Sequence, residues 1–312
     1  MLFLILIAIK NPDAVAKLLG VVIAFMSKTM ERIINNTLFE SKPANFIRMK
    51  AVETVTGHIE FSAYRPTVWH EVCELQGVIE PQTMTDDRAA ELAAERAAQS
   101  IEDAARRAKR NVRQSCKSIN ADTLLTLTYR ENQTSLETTK KHLKEFTRRL
   151  YRLWPEFVGV AGFERQKRGA WHVHIATVNI PDSLSRNGIR LRSYHVLRSV
   201  WRGVVGNDNG NIDVSRRKRN AQRSPARIAS YLSKYITKAF EEGEKHSNRW
   251  TKFGAIPKPR RIDLGNWSNM AAALQAAYDL ISQTQSVVTT FFSAVSGAFY
   301  MAVEPHYQRR LM

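Results

Sequence analysis

Two apolar runs meet across one tight turn between Phe157 and Asn179, and no other stretch restricts the fold of this chain as much. Phe157 to Phe163 and Trp171 to Asn179 have strand composition, and Lys167-Arg168-Gly169 suits a three-residue hairpin loop with glycine at the left-handed position. With that loop Gln166 pairs with Ala170, Arg165 with Trp171 and Glu164 with His172. Side chains alternate along a strand, so His172 and His174 leave one face of the sheet and Glu164 joins them there. A two-residue loop would instead set Glu164 across from Val173 and turn it away.

The hairpin sits within a regular succession of elements. Thr123 to Tyr129 is rich in β-formers, and Thr134 to Trp154 carries Leu136, Leu143, Phe146, Leu150 and Leu153 near a helical period. After the hairpin a helix is expected over Ser193 to Val204 and a short strand over Asn211 to Val214. A third helix opens at Ser224-Pro225, where serine caps free N–H groups and proline is tolerated in the first turn. Strand, helix, strand, strand, helix, strand, helix is the order of a ferredoxin-like, or split βαβ, arrangement with one extra helix. The expected fold class is therefore α+β: an antiparallel sheet with helices on one side, a helical N-terminal region and a C-terminal extension.

Outside that block the pattern is weaker. Residues 41 to 80 have no clear period, and Thr85 to about Asn111 is Ala-rich and charged. It opens on Asp86 and Asp87, which oppose the helix dipole, and closes on Arg106, Arg107, Lys109, Arg110 and Arg113. Its few large apolar residues predict a surface helix or an arm lying on a charged ligand. The expected divisions are an apolar extension over 1–30, an N-terminal region over 31–115, a catalytic block over 116–245 and the extension over 246–312.

Composition narrows the partners. Lys and Arg number 47 against 29 acids, a net charge of +18 on 312 residues that are 44% hydrophobic. Such a chain buries a real core and attracts polyanions, which excludes a disordered basic tail. The charge is clustered at Arg216, Arg217, Lys218 and Arg219, then Arg223 and Arg227, and again at Lys258, Arg260 and Arg261. Clusters beside a folded core favour nucleic acid over a membrane surface, although any one of them also reads as a solvated loop. Cys73 and Cys116 stand far apart with no CxxC partner, which points to a reducing compartment and away from a zinc ribbon or disulfide framework.

Both ends of the chain carry apolar runs. Met1 to Ile9 is broken by Lys10, Asn11, Pro12 and Asp13, and Ala14 to Met26 is too short to span a bilayer and lacks the leader of a secretory signal. A start at Met26 or Met30 is the alternative reading. Ile281 to Val303 is uncharged, but its Ser, Thr and Gln content and the Ser296-Gly297 turn favour a buried hairpin of Ser286 to Phe292 with Ala298 to Val303. No stable membrane partner is expected.

Two imidazoles and a carboxylate on a flat sheet make a three-ligand site with open positions. Glu164, His172 and His174 suit Mg²⁺ or Mn²⁺ shared with substrate oxygens, with zinc a less suitable ion for want of a fourth protein ligand. The last helix repeats a YxxK unit at a spacing of four, Tyr231 with Lys234 and Tyr235 with Lys238. Helical neighbours four apart share a face, so the two hydroxyls line up beside the basic run Arg216 to Arg227.

Leu124-Leu125-Thr126-Leu127-Thr128, Glu164 with Gly169-Ala170-Trp171-His172-Val173-His174, and the doubled YxxK from Tyr231 to Lys238 resemble the three ordered motifs of HUH endonucleases, which initiate rolling-circle replication. The two-tyrosine form is similar to bacteriophage replication gene A proteins. Relaxases are less similar, since they carry the tyrosine ahead of a three-histidine cluster. The resemblance covers residues 121 to 242 and implies a metal on Glu164, His172 and His174. It also implies attack by Tyr231 or Tyr235 on single-stranded origin DNA, giving a 5′ phosphotyrosine and a free 3′ hydroxyl. Lys234 or Lys238, or the metal, would ease removal of the phenolic proton. There is no GxxxxGK[ST] motor motif, so a host helicase and a host polymerase are the implied partners, in a bacterial cytoplasm. The competing readings are a non-catalytic origin-binding module, in which the tyrosines only stack on bases, and a single-strand transposase.

Overall fold

The computed structural model describes residues 30–74, 86–186, 188–216, 225–241, 249–281, 286–293 and 296–305. Five strands come first: β1 (Glu31–Ile34), β2 (Thr37–Pro43), β3 (Ile47–Glu53), β4 (Ile59–Tyr64) and β5 (Thr67–Glu74). Next are α1 (Asp86–Ser118), β6 (Thr123–Tyr129), α2 (Leu136–Tyr151), β7 (Gly159–Arg165), β8 (Trp171–Thr177), β9 (Ser183–Arg186) and β10 (Ile189–Arg192). Then follow α3 (Ser193–Val205), β11 (Gly210–Arg216), α4 (Pro225–Glu241), β12 (Trp250–Phe253), β13 (Arg260–Trp267), α5 (Met270–Ile281), β14 (Ser286–Ser293) and β15 (Ala298–Pro305). The apolar segment before Met30, the cap at Ser224 and the basic residues Arg217, Lys218, Arg219 and Arg223 lie outside the described residues.

Contacts divide the molecule into two compact units. One unit joins residues from both ends of the chain, 30–53, 59–74 and 261–305. Its main sheet has the order β13-β3-β4-β15-β14, and β1, β2 and β5 form a separate three-stranded sheet. Ile47, Met49 and Ala51 on β3, Phe61 and Ala63 on β4, and Phe299, Met301 and Val303 on β15 are buried with Ala273, Ala277 and Ile281 of α5. The expected helical N-terminal region is thus strand over most of its length, and helix begins only at Asp86. The reason is visible in β3, whose inward residues recur every second position and find their partners near the far end of the sequence. The hairpin expected at the C-terminal end is present, paired from Ser286↔Pro305 to Ser293↔Ala298. Its outer strand is not buried, since Phe291 is 64% and Phe292 55% exposed at the sheet edge.

The second unit comprises residues 54–58 and 86–260. Its sheet has the order β11-β6-β8-β7-β12 and is antiparallel at every pairing. α2 and α3 cover one face through Leu143, Phe146, Leu150, Leu197 and Trp201, packed on Leu125, Leu127, Phe163, Val173 and Ile175. The other face is covered too: Val112 and Cys116 of α1 and Ile228, Ala229 and Leu232 of α4 pack on Val160 and Ala176. Helices therefore lie on both sides of this sheet, not on one. The physical sign is β8 itself, buried at all seven positions from Trp171 to Thr177, which a strand with one solvated face cannot be.

Helix α1 also departs from expectation. It continues past Asn111 to Ser118, and its last turns are core and not surface, because Ala108, Val112 and Cys116 recur every fourth residue on one stripe. Asn120 at φ 54° ends it, with the Ala121 N–H donating to the Cys116 carbonyl (2.9 Å). Helix α2 starts where Ser135 accepts a hydrogen bond from the Thr138 N–H (3.2 Å). Helix α4 opens at Pro225, as its sequence predicts.

Candidate active site

The β7–β8 turn sets the register on which the site depends. Gly169 has φ 88°, its N–H donates to the Gln166 carbonyl and the Gln166 N–H donates to the Ala170 carbonyl, both at 2.8 Å. Glu164 therefore stands opposite His172, and Arg165 opposite Trp171. The three-residue loop forms as the spacing predicts, and Glu164 shares a face with both imidazoles. Across the other border of β8, Thr126 of β6 stands opposite His174.

Hydrogen bonds then fix each side chain. His174 Nε2 lies 2.7 Å from Glu164 Oε2, and its Nδ1 lies 3.1 Å from Thr126 Oγ1. His172 Nδ1 contacts the Gln166 amide nitrogen at 3.1 Å, and the amide oxygen accepts from Arg168 Nε at 3.2 Å. Arg168 also donates to the Tyr129 carbonyl, which ties the hairpin tip to the end of β6. His172 Nε2 is buried without a hydrogen-bonding partner. Burial, and after it the neighbouring His174, pulls the His172 pKa from 6.5 to about 4, while Glu164 acts in the opposite direction and Arg168 lowers it further.

That depression makes a prediction about stability. Below pH 6.5 the unfolded chain protonates His172 while the folded site refuses the proton, so this contribution is complete above 6.5 and is lost as pH falls toward about 4. Thermal midpoints measured in EDTA should fall across that window. A His172→Asn chain should lose part of the slope, and equal slopes in the two proteins would contradict the burial argument.

Helix α4 brings the tyrosine to this face. Ile228, Ala229 and Leu232 anchor the helix, and its contacts with β7 and β8 set its height over the sheet. The Tyr231 ring lies 6.0 Å from the His174 ring at 88°, edge to face, and remains 41% exposed. Lys234, one turn on, is exposed. The structure thus brings Glu164, His172, His174 and Tyr231 together. The side chains of Tyr235, Lys238 and Arg216 lie outside the described residues, and Arg227 is exposed on the first turn of α4.

Three residues of the site were not singled out by sequence reasoning: Thr126, Gln166 and Arg168. Thr126 follows from register alone, since strand partners face the same side, and Gln166 follows from standing two residues beyond Glu164. Arg168 gave no such signal, because a basic hairpin tip reads as solvated.

Residues 122–240 match the family model for replication-associated protein ORF2. This match spans more than a third of the chain, contains every site residue described above, and supports a replication-initiator family for the segment. No curated protein and no solved structure matches the chain. Among the described residues no helix is long and apolar enough to cross a membrane.

The donor set can be tested against a divalent ion. Among the described residues no three His, Cys, Asp or Glu groups are already gathered at metal distance. Glu164 and His174 are bonded to each other, and His172 Nε2 stands without a partner. The chemistry of the set nevertheless fits: two imidazole nitrogens and one carboxylate on one face, with a buried nitrogen in search of an electrophile. His172 Nε2 can ligate only with its proton on Nδ1, and the Gln166 amide turned end for end would accept that proton's hydrogen bond.

Proposed function

We propose that the 86–260 unit is an HUH endonuclease on a ferredoxin-like sheet, nicking single-stranded origin DNA to initiate rolling-circle replication. The observation that carries the reading is the Tyr231 ring against His174, on the sheet face that also bears Glu164 and His172, within the segment that matches the replication-associated family. The strand order supports it as well. In chain order β6, β7, β8 and β11 are the first four strands of this sheet and stand 4-1-3-2, all antiparallel, which is the split βαβ pattern.

In this reading the Tyr231 oxygen attacks the scissile phosphorus as the bond to the 3′ oxygen breaks. The phenolic proton passes to solvent or to Lys234, the 3′ oxygen leaves as a hydroxyl, and the 5′ phosphate stays on tyrosine. Mg²⁺ or Mn²⁺ held by Glu164, His172 and His174 would supply Lewis-acid polarisation of the phosphate. Thr126 and Gln166 hold the imidazoles in orientation, and the half-buried Glu164 offers its second oxygen to solvent. Tyr235, one helical turn beyond Tyr231, would hold or cut a second strand. Arg227 and the basic run before it would track the DNA backbone, and host helicase and polymerase would follow at the 3′ end.

Labelled single-stranded origin DNA incubated with the protein and Mn²⁺ should give a band that survives denaturation, vanishes on protease treatment and is absent with EDTA. Tight binding with no such band would leave an origin-binding module in place of the nuclease.

A further inference from the structure

On the α2 face of the second unit, away from the histidines, a groove of about 390 Å³ runs between α2 and the edge strand β12. That volume lies within the roughly 300–1,000 Å³ of ligand pockets. Its floor is apolar, with Leu143 and Phe163 buried and Phe253 half-buried. Its rim carries Lys140 and Lys144, one helical turn apart on α2, and Lys252 on β12. Among the described residues none of these lysines is in an ion pair, and Glu145 of α2 is already held by Arg148 and Arg149 at 2.7 and 2.6 Å.

The strand beside the groove has an open edge. β12 pairs only with β7 and ends the sheet. The Phe163 N–H donates to the Arg249 carbonyl at 3.1 Å, so in an antiparallel ladder Arg249, Thr251 and Phe253 bond to β7. Trp250 and Lys252 then direct their backbone N–H and C=O groups outward, unpaired. All four β12 residues line the groove, inward-facing and outward-facing alike, which places it at the margin of the sheet and not over one face. A lone charged residue on such an edge is commonly a guard against aggregation. Three lysines around an apolar floor go beyond a guard and constitute a receptor of defined polarity.

We propose that this groove docks an extended peptide of a partner protein, apolar at alternate positions and acidic between them, added as a further strand along β12. The strand edge supplies main-chain hydrogen bonds, Leu143, Phe163 and Phe253 receive the apolar side chains, and the lysines pair with the carboxylates. Single-stranded nucleic acid would use the lysines but has no use for unpaired strand N–H groups, so the edge favours peptide. The groove is separate from the histidine face, so the proposal stands or falls independently of the nuclease reading.

The test selects peptides from a random displayed library on the full chain and on a Lys140→Ala/Lys144→Ala/Lys252→Ala chain. The recovered peptides are then measured in solution on both proteins and on Lys252→Ala and Lys252→Pro chains. Enriched peptides should be acidic with alternating apolar residues and should lose about tenfold or more in affinity on the triple variant. Proline at 252 removes the outward N–H while leaving the ladder to β7, so Lys252→Pro should bind about fivefold more weakly than Lys252→Ala, with the thermal midpoint unchanged. Equal affinities for those two chains, or no acidic enrichment, would overturn strand addition. Protection of Lys140 and Lys144 from acetylation by oligothymidylate would assign the groove to nucleic acid instead.

Discussion

A chain carrying Tyr231→Phe together with Tyr235→Phe should bind single-stranded origin DNA within about threefold of the unchanged protein yet form no covalent adduct. The two outcomes separate because phenylalanine keeps the aromatic face and loses only the oxygen. Stacking and phosphate contacts survive the change, whereas a phosphotyrosine cannot form without a hydroxyl. The single changes carry more information. Tyr231 stands against His174 with its ring 6.0 Å away, so Tyr231→Phe alone should remove most of the first-strand adduct. Tyr235→Phe alone should spare that adduct and impair the later transfer that closes the product circle. Adduct yield and circle yield, measured on denaturing gels, check both statements. An adduct that persists in the double variant would place the nucleophile elsewhere and end the tyrosine reading.

How far the sequence led can be judged from particular elements. The β7–β8 hairpin was fully legible, because a turn with one glycine at positive φ leaves one register, and one register decides which of Glu164 and Arg165 joins the histidines. The tyrosine helix was legible from Pro225 and the four-residue spacing. What failed was coverage. A single-face sheet was expected from the order of elements, but element order does not say where a preceding helix goes, and α1 supplies part of the second layer. Its C-terminal turns looked charged because arginines and lysines outnumber Ala108, Val112 and Cys116, yet those three lie on one stripe and are the ones buried. The strand unit was the least legible part. Its β3, β4 and β15 pair residues near position 50 with residues near 60 and 300, and separation of that kind leaves no trace in a local period. Within the site, the partners Thr126 and Gln166 were implied by register and only needed to be read, while the role of Arg168 depends on a loop conformation that no spacing encodes.

Glu164→Gln should be the most damaging nearly isosteric change in the protein. Glu164 Oε2 sits 2.7 Å from His174 Nε2, and its side chain is 21% exposed, so the carboxylate is close enough to orient the imidazole and open enough to meet an incoming ion. An amide keeps the shape and one acceptor but removes the anion. A neutral oxygen holds Mg²⁺ or Mn²⁺ far less well, and several kcal/mol of phosphate polarisation go with it, which is about a thousandfold or more in the rate of adduct formation. Thr126→Val, which removes only the contact to His174 Nδ1, should cost about ten- to a hundredfold, the usual range for a partner that orients a ligand. Folding offers a readout free of catalysis. If Glu164 is a ligand, adding Mn²⁺ in large excess over its dissociation constant should raise the thermal midpoint of the unchanged protein, since an ion bound only by the folded state stabilises it. The same addition should leave Glu164→Gln unmoved, with both midpoints similar in EDTA. A midpoint shift of equal size in the two proteins would show that the ion binds elsewhere, and Glu164 would then be an orienting partner of His174 and not a ligand.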